Sequence, residues 1–375
     1  MKKIFTLIAV ALLGGAVSVN AEGEYVYNVP AGTTVIDSDV LNAAISEAAG
    51  NTAIKLVLPA GTYDVNGTDA TTGGAAPLKL NDNYSFIFSG TTADETTLNF
   101  PKTLNIEGTH GTVGFENVSI KDTGCQYFIN QSKECNITSF YMTDCKATDF
   151  ERSIIRTQGS SVNVTIGSFV VDDCIFTNIA SANGYSVFYF GTETTKIGKL
   201  ELKNSTFDTT QRSFIEASKA PITEGVFITN CTFYNNVADG RYFMDANGQS
   251  TNLTMTNSIL GKSNVVTAKG ARSAGTITFT NCLRTSDCVY KSNNISLEAD
   301  TRSSADIFTD PDNHNFTLKI ADKIGDPRWI STAIKNIATE TEANANAPIY
   351  NLAGQQVSKD FKGVCIQNGK KFINK

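Results

Sequence analysis

One phrase recurs down this chain: an apolar run ending in Asn or Asp, then a small residue, then often Phe. It reads FENVSI, MTDCKA, VDDCIF, LKNSTF, ITNCTF, MTNSIL and FTNCLR, anchored at Asn117, Asp144, Asp173, Asn204, Asn230, Asn257 and Asn281. Successive anchors lie 27, 29, 31, 26, 27 and 24 residues apart. A period of about 20–50 residues marks a solenoid or a propeller, whose units have too little apolar surface to fold alone. Propeller blades need about 40 residues and four antiparallel strands, whereas these units hold two or three short strands separated by Gly, Asn and Ser turns. The spacing therefore predicts an all-β fold, a right-handed parallel β-helix running from about Glu22 to Trp329.

Asn tolerates the left-handed conformation of a tight bend, and identical side chains stacked every ~4.8 Å can hydrogen-bond along the stack. The anchor column thus reads as structural. Cys145, Cys174, Cys231 and Cys282 follow their anchors in one column that Ser205 and Ser258 complete. Free Cys behaves as a small buried hydrophobe, so this column reads as packing rather than as disulfide or metal chemistry. Cys125, Cys135, Cys288 and Cys365 lie off the column, and their redox state is not readable from spacing.

The chain has 22 Phe, 12 Tyr and 29 Gly against 8 Pro and 1 Trp, as a β-rich, turn-rich solenoid with an ample core requires. Ahead of the regular coils, LVLPAGTYDV from Leu56, YSFIFSGTT from Tyr84 and TLNIEG from Thr103 read as less regular ones. Before them, Ser38 to Ala49 is predicted to be a helix with Ser38 or Asp39 as N-cap. Leu41, Ala44, Ile45 and Ala48 share one face, and Gly50 is the stop. A helix there would cover the open end of the stack, whose unpaired backbone groups would otherwise recruit other chains.

The ends read differently. Lys2 and Lys3, the apolar run Ile4 to Val17 and the sequence Val19-Asn20-Ala21 fit a cleavable export signal over residues 1–21. No later stretch approaches the ~20 apolar residues of a membrane span, so a secreted or surface-held product is expected. Residues 330–347 are Ala, Asn, Thr and Glu rich and read as a linker; residues 348–375 alternate apolar and polar around Gly354, Gly363 and Gly369, as a small β tail does. With 31 Lys+Arg against 37 Asp+Glu, nothing basic invites nucleic acid.

LVLPAGTY, FIFSGTT and the NC-T-F coils together resemble the pectate-lyase-like superfamily of parallel β-helices, over about Val35 to Asn294. The closing FTLK and GDPRW resemble the ends of secreted domains of unknown function that Bacteroidetes carry alongside pectin-degrading systems. IYNLAGQQV, KGV and NGKKFINK resemble the C-terminal sorting or anchoring segment of exported Bacteroidetes proteins, which implies an export machinery as partner. The resemblance implies a polysaccharide partner and, for lyases, calcium held by acidic residues beside an Arg or Lys base. No stretch here matches such a catalytic set residue for residue, so neither catalytic residues nor a cofactor are assigned.

Binding chemistry is sought on a strand that follows each Asn turn: QYFIN from Gln126, RSIIR from Arg152, YSVFY from Tyr185, RSFIE from Arg212, RYFMD from Arg241 and SNVVT from Ser263. Alternation puts Ile155, Phe188, Ile215, Met244 and Val266 inward. The outward face then carries Arg152, Ile154 and Arg156, above Tyr185, Val187 and Tyr189, with Arg212, Phe214 and Glu216, then Arg241, Phe243 and Asp245, in the next coils. Exposed rings that stack and fixed polar groups that orient are what a sugar-binding surface needs, and Arg forks suit the carboxylates of uronates.

The expected function is binding of an acidic, uronate-containing polysaccharide such as pectin. The competing reading is a ladder of opposite charges that only pair with one another, in a noncatalytic adhesin or structural surface protein. A β-eliminating lyase needs a base at the uronate C5 proton and a cation to hold the carboxylate charge that develops. Arg156, Arg241, Glu216 and Asp245 are the groups on this face with that chemistry.

Elsewhere, His110 and His314 are the only histidines, so neither a zinc site nor a His-centred nucleophilic triad is expected. DPDNHN at Asp310 to Asn315 holds the oxygen ligands of a calcium loop, but at a spacing that reads as an ordinary turn. Asp172 and Asp173, adjacent in sequence, point to opposite sides of a strand and make a poor acid and base couple.

Overall fold

The computed structural model describes residues 23–158, 162–182, 184–238, 240–290, 296–330, 348–351, 354–367 and 370–374. The leader read over residues 1–21 and the linker over 330–347, apart from Ile330, lie outside the described residues. The chain divides into two units, one ending at Arg328 and one beginning at Trp329.

The first unit is a parallel β-solenoid. Two ten-stranded sheets run its length and a six-stranded sheet accompanies its later coils, from Ile129 to Ser273, every neighbouring pair in them parallel. Each full coil visits the three in turn; one coil, for example, contributes Val164–Asp172, Ile175–Ile179 and Phe188–Phe190. Residues one repeat apart become neighbours, as in Phe140↔Phe169↔Leu200↔Val226 on the first sheet. Inward positions stack like on like: Phe140 and Phe169 rings are 4.6 Å apart, and Phe176, Phe207 and Phe233 follow at 5.1 and 5.2 Å. That repetition gives a chain of modest hydrophobicity a continuous dry interior.

The bend between the first and second sheets is a single residue in the left-handed region. All seven anchors adopt it, with φ between 47° and 55°. Their backbone N–H groups donate to the coil above, as from Asn204 to Thr229 O at 3.0 Å and from Asn230 to Thr256 O at 3.1 Å. Side-chain rungs are added at two of the Asn–Asn steps, from Asn230 Nδ2 to Asn204 Oδ1 at 2.9 Å and from Asn281 Nδ2 to Asn257 Oδ1 at 2.5 Å.

The next position, the Cys and Ser column, is buried except at the half-buried Cys282, and is also hydrogen-bonded. Backbone N–H of Cys145 donates to Cys174 Sγ at 3.4 Å, that of Cys174 to Ser205 Oγ at 3.0 Å, and that of Cys231 to Ser258 Oγ at 3.0 Å. Each side chain in turn donates to the carbonyl two residues back, Cys231 to Thr229 at 3.3 Å and Ser258 to Thr256 at 2.8 Å. The column therefore needs a small side chain that both donates and accepts, which Cys and Ser share. All eight cysteines are free thiols.

The N-terminal helix spans Ser38–Glu47, and its N-cap is Asp37, not Ser38 or Asp39. Asp37 is extended and its carboxylate accepts from the N–H groups of Asp39 and Val40 at 3.0 and 3.1 Å. The acceptor must precede the first turn to reach those donors, so the residue directly after the strand Val35–Ile36 takes the role. Leu41, Ala44 and Ala48 are buried against the stack.

After the last coil the chain doubles back. A helical turn Ser304–Ile307, the hairpin pair Phe308–Asp310 and Asn315–Leu318, and residues 325–328 run over the outward face of the second sheet. That face is consequently buried at Thr206, Asp208, Thr232, Tyr234 and Ile259. Ser304 Oγ accepts from Lys262 N at 2.7 Å, Tyr234 Oη donates to Asp312 Oδ1 at 2.5 Å, and His314 Nδ1 contacts Asp208. Gly325, with φ of 83°, passes so close that a Cβ would lie 2.7 Å from Thr232 Oγ1. Asp326, 1% exposed, then accepts from Thr206 Oγ1 at 2.7 Å and pairs with Arg328, which also reaches Asp173.

The second unit is a four-stranded antiparallel sheet of Ile349–Asn351, Gln356–Val357, Gly363–Gln367 and Lys370–Asn374. The described residues contain no helix long and apolar enough to cross a membrane.

Candidate functional site

The six-stranded sheet carries the candidate face. Its strands are Ile129–Gln131, Ile155–Thr157, Phe188–Phe190, Ile215–Glu216, Tyr242–Ala246 and Lys269–Ser273. Ile155, Phe188, Ile215 and Met244 are in register and buried. The sixth strand is KGARS and not SNVVT: Ala271 stands opposite Met244, while Val266 lies in a turn and is 66% exposed. Val266 is five residues short of the registered position, and a local apolar pair imitated a strand there.

Phe214 and Phe243 are also corrections, since both are fully buried with rings 5.3 Å apart in the core. Ile154 and Val187 share the same fate. The chain enters each short strand through a bend, so two consecutive residues, such as Phe214 and Ile215, face inward from adjoining walls. Period-two alternation holds only within the strand itself. Arg152 and Arg212 are half-buried ahead of their strands, and Arg241 is exposed.

The outward column is Asn130, Arg156, Tyr189, Glu216, Asp245 and Arg272, in unbroken register. Sequence reasoning found the middle four. The two ends were missed, although extending the column one repeat each way reaches them.

The two halves of this column differ electrostatically. Toward the C-terminal end, Arg272 forks onto Asp245 with Nε–Oδ1 and Nη2–Oδ2 distances of 2.7 and 2.9 Å. Its guanidinium lies 4.1 Å from the Tyr242 ring centroid, with Lys269 Nζ at 5.0 Å from the same ring. The hydrogen-bonded carboxylate holds the Arg272 pKa above its ordinary value. Here the charge ladder is real, and Asp245 is occupied.

Toward the N-terminal end, Arg152 and Arg156 converge on one phenol. Arg152 Nη1 donates to Tyr127 Oη at 2.6 Å and Arg156 Nη1 to the same oxygen at 3.2 Å. The Arg156 guanidinium sits 4.1 Å from the Tyr185 centroid and 5.3 Å from that of Tyr127, and Arg152 lies 5.3 and 5.9 Å from Tyr127 and Tyr185. Neither arginine has a carboxylate within ion-pair distance among the described residues. The Nε of each is buried without a hydrogen-bond partner. Two neighbouring cations held by rings and a neutral hydroxyl form a surface already arranged for an anion.

Glycine makes room for it. The Arg152 stem crosses Gly184, where a Cβ would meet Cδ at 3.3 Å, and the Tyr189 ring lies over Gly191, where a Cβ would fall 1.9 Å from Cε1. Tyr189 meets Tyr185 edge to face at 5.0 Å. Burial, and then the charge of Glu216, raises the Tyr189 pKa. Glu216 accepts from Ser186 Oγ at 2.8 Å and enters no ion pair among the described residues. Tyr185 is expected on this face from alternation, whereas Tyr127, Ser186 and the two glycines are not among the expected site residues.

The other chemistry-bearing residues are structural. His110, 1% exposed, has both ring nitrogens on backbone carbonyls, Tyr84 O at 2.7 Å and Glu107 O at 2.8 Å. DPDNHN forms the turn of the returning hairpin. Asp172 pairs with Lys203 while Asp173 turns away to Arg328.

Residues 226–329 match the model of a domain of unknown function, DUF5123. No curated protein and no solved structure matches the chain. The DUF5123 match spans the later coils and the returning segment and ends at Trp329. It includes Asp245 and Arg272 but lies wholly beyond the Arg152 and Arg156 cluster.

Proposed function

We propose that this protein is exported and binds an acidic, uronate-containing polysaccharide on the outward face of its six-stranded sheet. The observation that carries the reading is the pair Arg152 and Arg156, two guanidiniums gathered on Tyr127 with no carboxylate within ion-pair distance of either among the described residues. Like charges repel, and a fold holds them together when something offsets the repulsion. Here that is the π faces of Tyr127 and Tyr185, and a bound carboxylate would complete it with bidentate, charge-assisted hydrogen bonds. The neighbouring Tyr189 supplies a half-buried ring for a sugar face.

The leader over residues 1–21 would direct export, and the C-terminal sheet unit would serve sorting or anchoring at the cell surface. The proposal is one of recognition, and no bond-breaking step is attached to it. Binding of acidic and neutral glycans to the protein and to an Arg152→Gln, Arg156→Gln double variant tests it. The expected result is selective retention of uronate-bearing glycans and at least a tenfold loss in the variant. Equal retention by both proteins would overturn the assignment. Monitoring unsaturated products in the ultraviolet on the same samples separates a binder from a lyase.

A further inference from the structure

We infer that the glycan runs from the arginines toward the N-terminal coils, where Asn130 and Asn105 form a further subsite for sugar hydroxyls. The inference rests on the proposed function, to which it adds a site and a direction. Asn130 stands opposite Arg156 in the six-stranded sheet. Leu104 bridges to Ile129 in parallel, which sets Asn105 beside Asn130 one coil further on. Leu104 and Ile106 are buried, so alternation turns Asn105 outward between them. The outward column therefore begins Asn105, Asn130, Arg156, at the ~4.8 Å spacing of neighbouring strands.

Both amides have an unspent acceptor. Asn105 Oδ1 and Asn130 Oδ1 are buried and have no hydrogen-bond partner among the described residues. The only other buried side-chain oxygen in that state among the described residues is Ser153 Oγ, next in the chain to Arg152. A buried acceptor without a donor is costly, and two in a row are explained by a donor that arrives with the ligand. The amide torsion of Asn is soft, so a small rotation brings each oxygen to the surface. A sugar hydroxyl both donates and accepts, which matches the carbonyl and NH2 of an amide.

The opposite direction is unfavourable for an acidic chain. There Arg156 is followed by Tyr189 and then by Glu216, two strand spacings or roughly 10 Å away. Glu216 has one hydrogen bond, from Ser186 Oγ at 2.8 Å, and no ion pair among the described residues. Any further uronate brought there meets that carboxylate, whatever the spacing of acid groups along the polymer, and like charges in a half-buried site repel. Toward the N-terminal coils the same uronate meets Asn130 and Asn105, whose NH2 groups donate. Glu107, two residues beyond Asn105, is already paired with Lys79 at 3.4 Å. Charge thus closes the column to an acidic glycan on one side of the arginines and leaves the amide side open.

Calorimetric titration with galacturonate and trigalacturonate tests this. The unaltered protein is expected to bind the trisaccharide at least tenfold more tightly than the monosaccharide. An Asn105→Ala, Asn130→Ala double variant is expected to cut that gain below threefold and to keep the monosaccharide affinity within twofold. Glu216→Gln is expected to leave the gain within twofold. Asn105→Asp keeps the side-chain shape and adds a carboxylate two strands from Arg156, and it is expected to cut the gain at least fivefold. Thermal melting checks the fold of each variant, and Asn105→Asp decides alone if the double variant does not fold. A gain that survives the Asn substitutions, or that rises at least fivefold in Glu216→Gln, overturns the inference and leaves the proposed function standing. So does a trisaccharide that binds no better than the monosaccharide. If neither sugar binds the unaltered protein, both fall.

Discussion

At the scale of single residues, the left-handed bend is the feature on which the coils depend. Asn230 sits at φ of 54° and donates to Asn204 Oδ1. Replacing it with Ala is expected to cost about 2–3 kcal/mol, from roughly 1–2 for left-handed backbone with a Cβ and about 1 for the lost hydrogen bond. Gly keeps the backbone and loses the rung alone, about 1 kcal/mol. Urea unfolding of the two variants checks the difference, and equal losses would remove the conformational argument. The thiols offer a second test: burial pushes Cys135 and Cys288 up to about 12 and Cys174 and Cys231 higher. Native protein at pH 8 should therefore resist iodoacetamide, with the half-buried Cys282 modified first; rapid modification of Cys174 would show the column to be open. Both columns were legible in the sequence because they repeat. The inward turn of Phe214 and Phe243 was not, because it depends on a bend between walls that local alternation does not encode.

At the scale of elements, most strands and the N-terminal helix follow from local pattern, whereas the docking of the returning segment does not. Its partners, Thr206, Asp208, Thr232, Tyr234 and Lys262, lie tens of residues away and share no period with it. The segment carries its own pH signature. Burial raises the Asp326 pKa to about 6, partly offset by Arg328 and Thr206. A carboxylate whose pKa is higher in the folded state than in the unfolded one binds its proton more tightly when folded. Its contribution is therefore fully favourable below the ordinary carboxylate range and is lost as pH rises through about 4 to 6, at no more than about 1.4 kcal/mol per pH unit. Protection of residues 304–328 against hydrogen exchange, taken relative to the intrinsic rate at each pH, should fall across that window and level off above it. Asp326→Asn should flatten the profile, and an unchanged profile in that variant would place the titrating group elsewhere.

At the scale of the whole solenoid, stability is a sum of coils and the contacts between neighbouring coils, and the candidate face inherits its rigidity from the core beneath it. Phe169 is fully buried, 4.6 Å from Phe140 and edge-on to Phe188 at 5.7 Å, and Phe188 precedes Tyr189 on the strand that forms the middle of the face. Phe169→Ala removes no atom from the face, yet it opens a cavity under Arg156 and Tyr189. Truncation of a buried Phe costs about 3–5 kcal/mol. If coils interact only with their neighbours, that loss stays local: exchange protection should fall from about Cys135 to Lys203 and persist from Leu253 to Thr280. Glycan affinity should fall with it, because Arg156 and Tyr189 must be held in place before they can bind without an added ordering cost. Protection lost evenly along the unit would mean that the coils melt as one body. Affinity unchanged at reduced local protection would mean that the face forms its site on the ligand and is not organised beforehand by the stack.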